Sequence, residues 1–427
     1  MIRQLTSMGA AMSLMAIMAL SAHAEQVGLS EAVRLALMNS PGIQQAEAGV
    51  EKGLSGIDAA KAKQGPTLGV QAQVGVLETD FTQDQISQIP RQIGLQAEWP
   101  IYTSGGQVAS LAAAGKASDA AGQKLTSRQE QVALQTIEAY AQAWLADRVL
   151  DVGQARLDTL EIRFEETNSR FGKGLLTKTD VALTEARLAS AEANLEASQA
   201  RKAAAYARLV SLTGVGDIET ISPVGEAAFE LPADLEDALR EVLASHPDLQ
   251  AARDMAQAAD FQLKATRSNF GPKVSLKARA STGEDVYFFF EDPISDVGAF
   301  VTFEMPLFTN GLKAASEREA IAGRSEALAN VRAAELQLRE MVTGLWSEWQ
   351  ARKLALAATE RAETAAALAA EGAKKENDAG LRTLVDALDA ENAYRDAQIQ
   401  RYQAEIGKMI SEARMLALMS QLRTQLR

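Results

Sequence analysis

The chain repeats itself once at a constant offset of 206 residues, through helical, strand-like and turn-like stretches alike. Leu29, Ala32, Arg34, Leu37, Pro41, Gln44 and Ala46 recur as Leu235, Ala238, Arg240, Leu243, Pro247, Gln250 and Ala252. Gly65-Pro66 recurs as Gly271-Pro272, Pro100 as Pro306, and Thr103 and Gly105 as Thr309 and Gly311. Gly174-Leu175, Thr177 and Asp180 recur as Gly380-Leu381, Thr383 and Asp386. Two long copies of one unit predict a single duplicated architecture, not two domains with different tasks. The copies are bounded as 25–213 and 235–427, joined by a linker over 214–234 that holds Gly214, Gly216, Pro223, Gly225 and Pro232.

Residues 1–24 read as a signal peptide: Arg3 supplies the positive start, Met8 to Leu20 the apolar run, and Ala22-His23-Ala24 the small-x-small cleavage site before Glu25. Such a short run cannot cross a bilayer core as a helix, so cleavage and export are expected. After residue 24 no 18-residue apolar run occurs, so no membrane-spanning helix is expected.

Cysteine is absent, which removes disulfides, thiolate metal sites, thiol nucleophiles and a lipidated N-terminal Cys. His246 is the one histidine left after cleavage, beside Pro247, and reads as a polar residue at a helix end. Histidine-based hydrolytic triads and metal sites are therefore excluded in practice, and no cofactor and no catalytic residue are expected. The formal charge of −13 becomes −14 without the leader, since Arg3 leaves and no acid does. That balance argues against nucleic acid as a partner. Alanine carries much of the 47% hydrophobic share while aromatics supply 5%, which favours thin helical walls over one thick core.

Within each unit an amphipathic stretch, interrupted near Pro41 in the first copy, ends at Gly65-Pro66, and the period then changes to two. Leu68, Val70, Ala72, Val74 and Val76 alternate with Gly69, Gln71, Gln73 and Gly75. Ile93, Leu95, Ala97, Trp99 and Ile101 alternate with Gln92, Gly94, Gln96, Glu98 and Pro100. The second copy sets Val274, Leu276, Ala278 and Ala280 against Lys273, Ser275, Lys277 and Arg279. Its return strand sets Val297, Ala299, Val301, Phe303, Met305 and Leu307 against Gly298, Phe300, Thr302 and Glu304. Hairpins are thus expected over about 66–102 and 272–308, with surface loops about 77–91 and 281–296.

Strands of that length with one apolar and one polar face fit a membrane barrel wall or a soluble sandwich. The leader and the aromatic cluster Tyr287-Phe288-Phe289-Phe290 favour the barrel, because aromatics settle at the lipid interface. Val70, Leu95, Trp99, Leu276, Val301 and Phe303 then face membrane lipid. Four strands cannot close a barrel, and an open edge in lipid leaves backbone groups unsatisfied. Several chains must contribute strands, and three would give twelve.

Helices are expected at about 107–171, 178–213, 313–376 and 384–425. Leu150, Leu157, Phe164 and Phe171 keep a seven-residue spacing, as do Val181, Leu188 and Leu195, with Thr184, Ala191 and Ser198 between them. This is coiled-coil periodicity with small positions at the seam. A 65-residue helix reaches roughly 100 Å at about 1.5 Å per residue. Gly172-Lys173-Gly174 and Asn377-Asp378-Ala379-Gly380 close the far ends of the two helical hairpins.

Taken together these features resemble the TolC family of outer-membrane efflux and secretion ducts, over essentially the whole mature chain. The segment from Arg170 to Val181 resembles the family's first periplasmic turn, and Gly380 to Ala390 closely resembles the second. The resemblance implies an α+β membrane protein: a homotrimer whose twelve-strand outer-membrane β-barrel, four strands per chain, continues into a long periplasmic α-helical coiled-coil barrel. It also implies docking to a periplasmic adaptor, or membrane fusion protein, and an inner-membrane ABC or RND transporter. The missing N-terminal Cys places the chain nearer the unlipidated branch that includes type I secretion ducts.

Asp386 and Asp389, three apart, share one helix face just past the second turn. From the residues alone they read rather as a solvated helix start, where acids suit the dipole. The resemblance makes them a ring of six acids at the periplasmic gate, and implies that Arg382 reaches Thr179 or Asp180 to hold the tip shut. Gly174, Leu175, Thr177, Gly380, Leu381 and Thr383 form the expected adaptor-docking surface, although glycine is also simply the residue that ends helices. The expected function is passive conduction from an inner-membrane transporter to the exterior, in type I protein secretion. A drug or metal efflux duct is the alternative, and a periplasmic coiled-coil adaptor the alternative of another class. An enzyme of polysaccharide export is disfavoured because no pocket-like cluster of catalytic residue types is visible.

Overall fold

The structure, a computed structural model, describes residues 27–80, 85–216, 218, 220–222, 229–286 and 292–426. The leader with its cleavage site, the cluster Tyr287–Phe290, and Pro223 and Gly225 of the linker lie outside the described residues. The first copy runs α1 (Leu29–Asn39), α2 (Pro41–Ala62), β1 (Thr67–Val74), β2 (Leu77–Asp80), β3 (Gln85–Gln88), β4 (Arg91–Tyr102), α3 (Gly106–Gly172) and α4 (Lys178–Thr213). The second runs α5 (Leu235–Ser245), α6 (Pro247–Ser268), β5 (Lys273–Glu284), β6 (Ile294–Glu304), α7 (Leu312–Asp378), α8 (Leu384–Leu418) and a last turn, α9 (Leu422–Gln425). Pro41 and Pro247 open their helices, where a missing N–H leaves no helical bond unmade.

The 206-residue offset persists in the backbone. Ser104 and Asn310 are left-handed at φ 52° and 47°, Gly105 and Gly311 at 80° and 82°, Gly174 and Gly380 at 78° and 77°, and Gly214 and Ser420 at 70° and 58°. The left-handed Ser420 ends the helix expected to run to 425 at Leu418. Each long helix thus stops just before a left-handed residue, a glycine in three cases and Ser420 in the fourth, while Ser104 and Asn310 take the same strain ahead of α3 and α7.

The described chain forms two compact units that do not follow the copies. One comprises residues 1–40, 130–235 and 343–427, the other 41–129 and 236–342. Each takes segments from both copies, so the repeats are units of sequence and not of packing.

In the unit of 41–129 and 236–342, one sheet has the order β1-β4-β5-β6, every neighbour antiparallel. The two hairpins are therefore joined by a β4–β5 ladder that pairs Leu95 with Ala280 and Trp99 with Leu276, broken by an irregularity between Pro100 and Tyr102. Directly paired residues share a face. One face carries Val70, Leu95, Ala280 and Val297 in one row, and Trp99, Leu276 and Val301 in another, with Phe303 opposite Val274. Most of it is open: Val70 is 70% exposed, Val301 71% and Val297 86%. The other face carries Gln71, Gln73, Gln92, Gln96, Lys277 and Arg279, with Lys277 set between Glu98 and Glu304 and Arg279 bonded to Asp296. Phe300 is the exception there, its ring lying over Gly298, where a Cβ would meet it at 2.8 Å. The strand expected to include Val76 stops at Val74: Gly75 N still donates to Pro90 O at 3.0 Å, but Pro90 has no N–H to return the bond. The expected loop 77–91 is instead a second ribbon of β2 and β3, while β5 runs to Glu284 and β6 starts at Ile294.

In the unit of 1–40, 130–235 and 343–427, the core is built of helix seams. Tyr140, Ile137, Leu209, Met415, Leu416 and Leu422 are fully buried. The Tyr140 hydroxyl lies 3.0 Å from Val27 O and 2.8 Å from Ser222 O, tying α3 to the parallel bridge Val27–Ile221, and burial pushes its pKa up to about 12. The small seam positions Thr184, Ala191 and Ser198 of α4 are all buried, and the two hydroxyls are satisfied by carbonyls one turn back. Among the described residues no helix is long and apolar enough to cross a membrane.

Candidate functional site

The two interhelical turns lie together in the unit just described. They border one cleft of about 450 Å³ lined by Arg170, Leu176, Asp180, Asn377, Arg382 and Leu384 among others. Leu160, Ala191 and Leu388 form the apolar cluster next to it, with Leu157, Leu188 and Leu384 packed around them.

Both turns have one construction. Leu175 N donates to Arg170 O at 2.9 Å and Gly174 N to Phe171 O at 2.8 Å; Leu381 N donates to Glu376 O at 2.8 Å and Gly380 N to Asn377 O at 2.9 Å. This is the paired-bond helix ending that places a left-handed residue, usually glycine, after the last turn. A Cβ at Gly174 or Gly380 would meet nothing within 4 Å, so the requirement for glycine is conformational and not one of space. Three residues later a threonine caps the next helix. Thr177 N donates to Asp180 Oδ2 at 2.9 Å and Asp180 N to Thr177 Oγ1 at 3.3 Å, a reciprocal capping box. Thr383 Oγ1 accepts from Asp386 N at 3.1 Å and donates to Asp386 Oδ2 at 2.7 Å. The Thr177 amide and hydroxyl hold the Asp180 carboxyl below the usual range.

Gly and Thr of the shared turn sequence therefore have structural duties. The leucines do not: Leu175 is 70% exposed and Leu381 81%. They are the residues of the expected docking set for which the fold itself provides no use.

The charged residues are paired otherwise than expected. Arg382 reaches neither Thr179 nor Asp180 within the chain; its Nε bonds Glu376 Oε2 at 2.7 Å across its own turn. Thr179 is exposed on the first turn of α4, and Asp180 is committed to Thr177. Asp386 and Asp389 do share the exposed face of α8, with Ala387 and Leu388 buried between them. Yet Asp389 Oδ1 is paired with Arg187 Nη2 of α4 at 2.9 Å, a partner with no sequence signature because it comes from the other copy. Arg156 and Asp396 make a similar bond at 2.7 Å, and Arg163 approaches Asp378 at 3.9 Å. In each pair the first copy supplies the arginine and the second the aspartate.

The family model for outer membrane efflux proteins matches residues 32–215 and again 238–420. The chain belongs to the outer membrane efflux protein family. The two matches begin 206 residues apart, as the repeat does. The outer membrane efflux protein BepC of Brucella suis biovar 1 is 25% identical over 389 residues, covering 89% of this chain and 83% of BepC. The alkaline protease secretion protein AprF of Pseudomonas aeruginosa is 23% identical over 301 residues, covering 69% of this chain and 62% of AprF. The crystal structure of the outer membrane protein VceC of Vibrio cholerae superposes with a TM-score of 0.74 at 22% identity, covering 91% of this chain and 95% of VceC. The resemblance read from the two turns is thus borne out. The protein is an outer-membrane channel of tripartite export systems, reaching into the periplasm, in a family of passive ducts.

Proposed function

We propose that three copies of this chain close one twelve-stranded barrel and conduct protein substrates handed over by an adaptor and an inner-membrane transporter. The observation that carries the assembly is the state of the sheet edges. β1 is exposed at every position, its outer edge and that of β6 are unpaired among the described residues, and one face is an open row of Val, Leu and Phe. In hydrocarbon such edges must find partners. Because β1 and β6 run antiparallel to each other in the order β1-β4-β5-β6, β6 of one copy can pair with β1 of the next in the same alternating sense, and the ring closes head to tail. Val70, Leu95, Trp99, Leu276, Val301 and Phe303 then face lipid, and the glutamine-rich face lines water.

At the other unit, Leu175 and Leu381 offer the adaptor two exposed apolar side chains, each held by a rigid cap. Asp386 and Asp389, exposed on one face of α8, are the acids that ring the periplasmic opening in the trimer. Arg382 acts there as the clasp of the second turn. Secretion of a polypeptide is the cargo reading favoured by the kinship with AprF and by the absence of any cysteine for lipid attachment. Efflux of drugs or metals is the second reading; the name of BepC says efflux and specifies no cargo.

The assembly is tested by crosslinking in outer-membrane fractions and by the heat sensitivity of the oligomer on denaturing gels; trimers that dissociate only on heating are expected, and monomers alone refute it. The cargo is tested by deleting the gene and comparing secreted proteins with drug and metal tolerance. Loss of specific secreted proteins at unchanged tolerance is expected, and the reverse pattern assigns the channel to efflux.

A further inference from the structure

Each repeat carries an entry to its hairpin and an exit from it. The entries are Gly65-Pro66 and Gly271-Pro272; the exits are Ser104-Gly105 and Asn310-Gly311, left-handed in both repeats. One exit and one entry meet within the chain. Ser104 Oγ donates to Pro272 O at 2.6 Å, and a Cβ on Gly271 would collide with the Ser104 side chain. A Cβ on Gly106 would likewise collide with Ser268 Oγ, so glycine here permits close approach. The other exit and entry are unused. A Cβ on Gly65 would meet only Ala62 O of its own turn, at 3.5 Å, among the described residues, and Asn310 and Leu312 are exposed.

The helices beside the sheet repeat the asymmetry. α6 lies against the start of α3 through Gly106 and the Lys116–Asp254 pair, and against α7 through Arg267 and Glu317. It buries Leu249, Ala251, Ala258, Leu263 and Ser268. Its counterpart α2 meets α3 where Gly53 lies on Ser118 and where Gln107 Nε2 donates to Lys63 O, yet among the described residues it buries Ile43 alone. On the 206-residue offset, α3 is to α2 what α7 is to α6. The neighbour α2 lacks is the one α3 provides for α6, and on the same offset that neighbour is the start of an α7. The chain's own α7 follows β6, at the opposite edge of the sheet from β1, so the missing helix must come from a second copy of this chain.

We infer that the joint between β4 and β5 is the template for the joint between neighbouring chains. β6 of one chain pairs with β1 of the next so that Val301 stands opposite Val74, Thr302 opposite Gln73 and Phe303 opposite Ala72, as Leu95, Gln96 and Ala97 stand opposite Ala280, Arg279 and Ala278. Asn310 seats on Gly65 and Pro66 of the next chain, and Leu312 on its Ala62. This rests on the reading that several chains close one barrel, and it fixes the register and the contacts of that closure. Val301 and Phe303 share the apolar face with Val74 and Ala72, and Thr302 shares the polar face with Gln73. A slip of one residue would set Val301 against Gln73. Slips of two preserve the faces, and only the template chooses between those registers.

The test uses the full-length protein, whose sequence has no cysteine to give a background. Directly paired strand residues lie within disulfide reach. T302C/Q73C, oxidised in outer-membrane fractions, should give trimers that survive boiling without reductant and revert to monomers with it. Q96C/R279C, the counterpart inside one chain, is the control for geometry, and T302C/Q71C and T302C/G75C read slips of two. Closure of a slipped pair in place of T302C/Q73C overturns the register while upholding the barrel, and so does failure of all three between-chain pairs when the control closes and heat-sensitive trimers still form. G65L tests the joint without a disulfide. Refolded in detergent, it should keep the helix content of the wild type by circular dichroism but lose most of the heat-sensitive trimer. Wild-type trimer yield from G65L overturns the seat of Asn310. Absence of trimers from the unsubstituted protein instead removes the closed barrel itself.

Discussion

Arg382 Nε bonds Glu376 Oε2 at 2.7 Å, so the last turn of α7 and the start of the following turn are clasped by residues of one short segment. Both side chains are nearly half exposed, and a pair of that kind contributes at most about 1 kcal/mol. R382A and E376Q should each lower the thermal stability of the purified channel by no more than that, and the double variant should add nothing to the larger single effect. If R382A raises channel conductance, E376Q should do so as well. A conductance increase in R382A alone would show that the arginine acts through a partner in another copy.

The docking leucines can be separated from the glycines beside them. G174V and G380V force a β-branched residue into the left-handed region and should destabilise the turns, whereas G174N and G380N are tolerated there. L175S and L381S remove exposed side chains that the fold does not pack. They should leave trimers and melting temperature unchanged while abolishing crosslinking to the adaptor and export. Normal export in the double leucine variant would remove these turns from the docking surface.

On the sheet, V70R, L95R or V301R should cost about 2–4 kcal/mol wherever the position lies near the bilayer midplane, while Q71R and Q96R should be tolerated. Yield of assembled oligomer in the outer membrane reads the difference. Equal yields from both sets would mean that the open apolar face does not meet lipid.

His246 caps α6 by accepting from Asp248 N at Nδ1, 3.2 Å away, which requires the neutral imidazole with its proton on the other nitrogen. Burial lowers its pKa, with Asp248 opposing more weakly. The unfolded chain therefore takes up a proton at a pH where the folded chain resists it, so stability is full above the ordinary value of 6.5 and falls as pH drops through the lowered one. H246N keeps a capping side chain without the titration. Melting temperatures of wild type and H246N should run parallel above pH 7 and diverge below 6.5, the wild type falling faster; parallel curves throughout would show that the cap does not depend on the proton.

What could be read along the chain was whatever neighbours in sequence decide. Strand faces follow from alternation, because successive side chains leave a strand on opposite sides, and from Asp296 to Glu304 of β6 only Phe300 breaks that pattern. The turns follow from Gly174, Thr177, Gly380 and Thr383, because a left-handed residue and a capping hydroxyl act within six residues of backbone. The duplication shows in the identity of residues 206 apart and needs no fold to be seen.

The partners of the charged side chains were decided only by the tertiary structure. Spacing puts Asp386 and Asp389 on one face of α8, but nothing near them in sequence announces Arg187, about two hundred residues away, and the same holds for Arg156 with Asp396. The ladder joining β4 to β5 and the two compact units that mix the copies belong to the same class of fact. A helix period tells which side will be buried but not against which helix. A long side chain at a seam pairs with whichever opposite charge packing brings within about 3–4 Å.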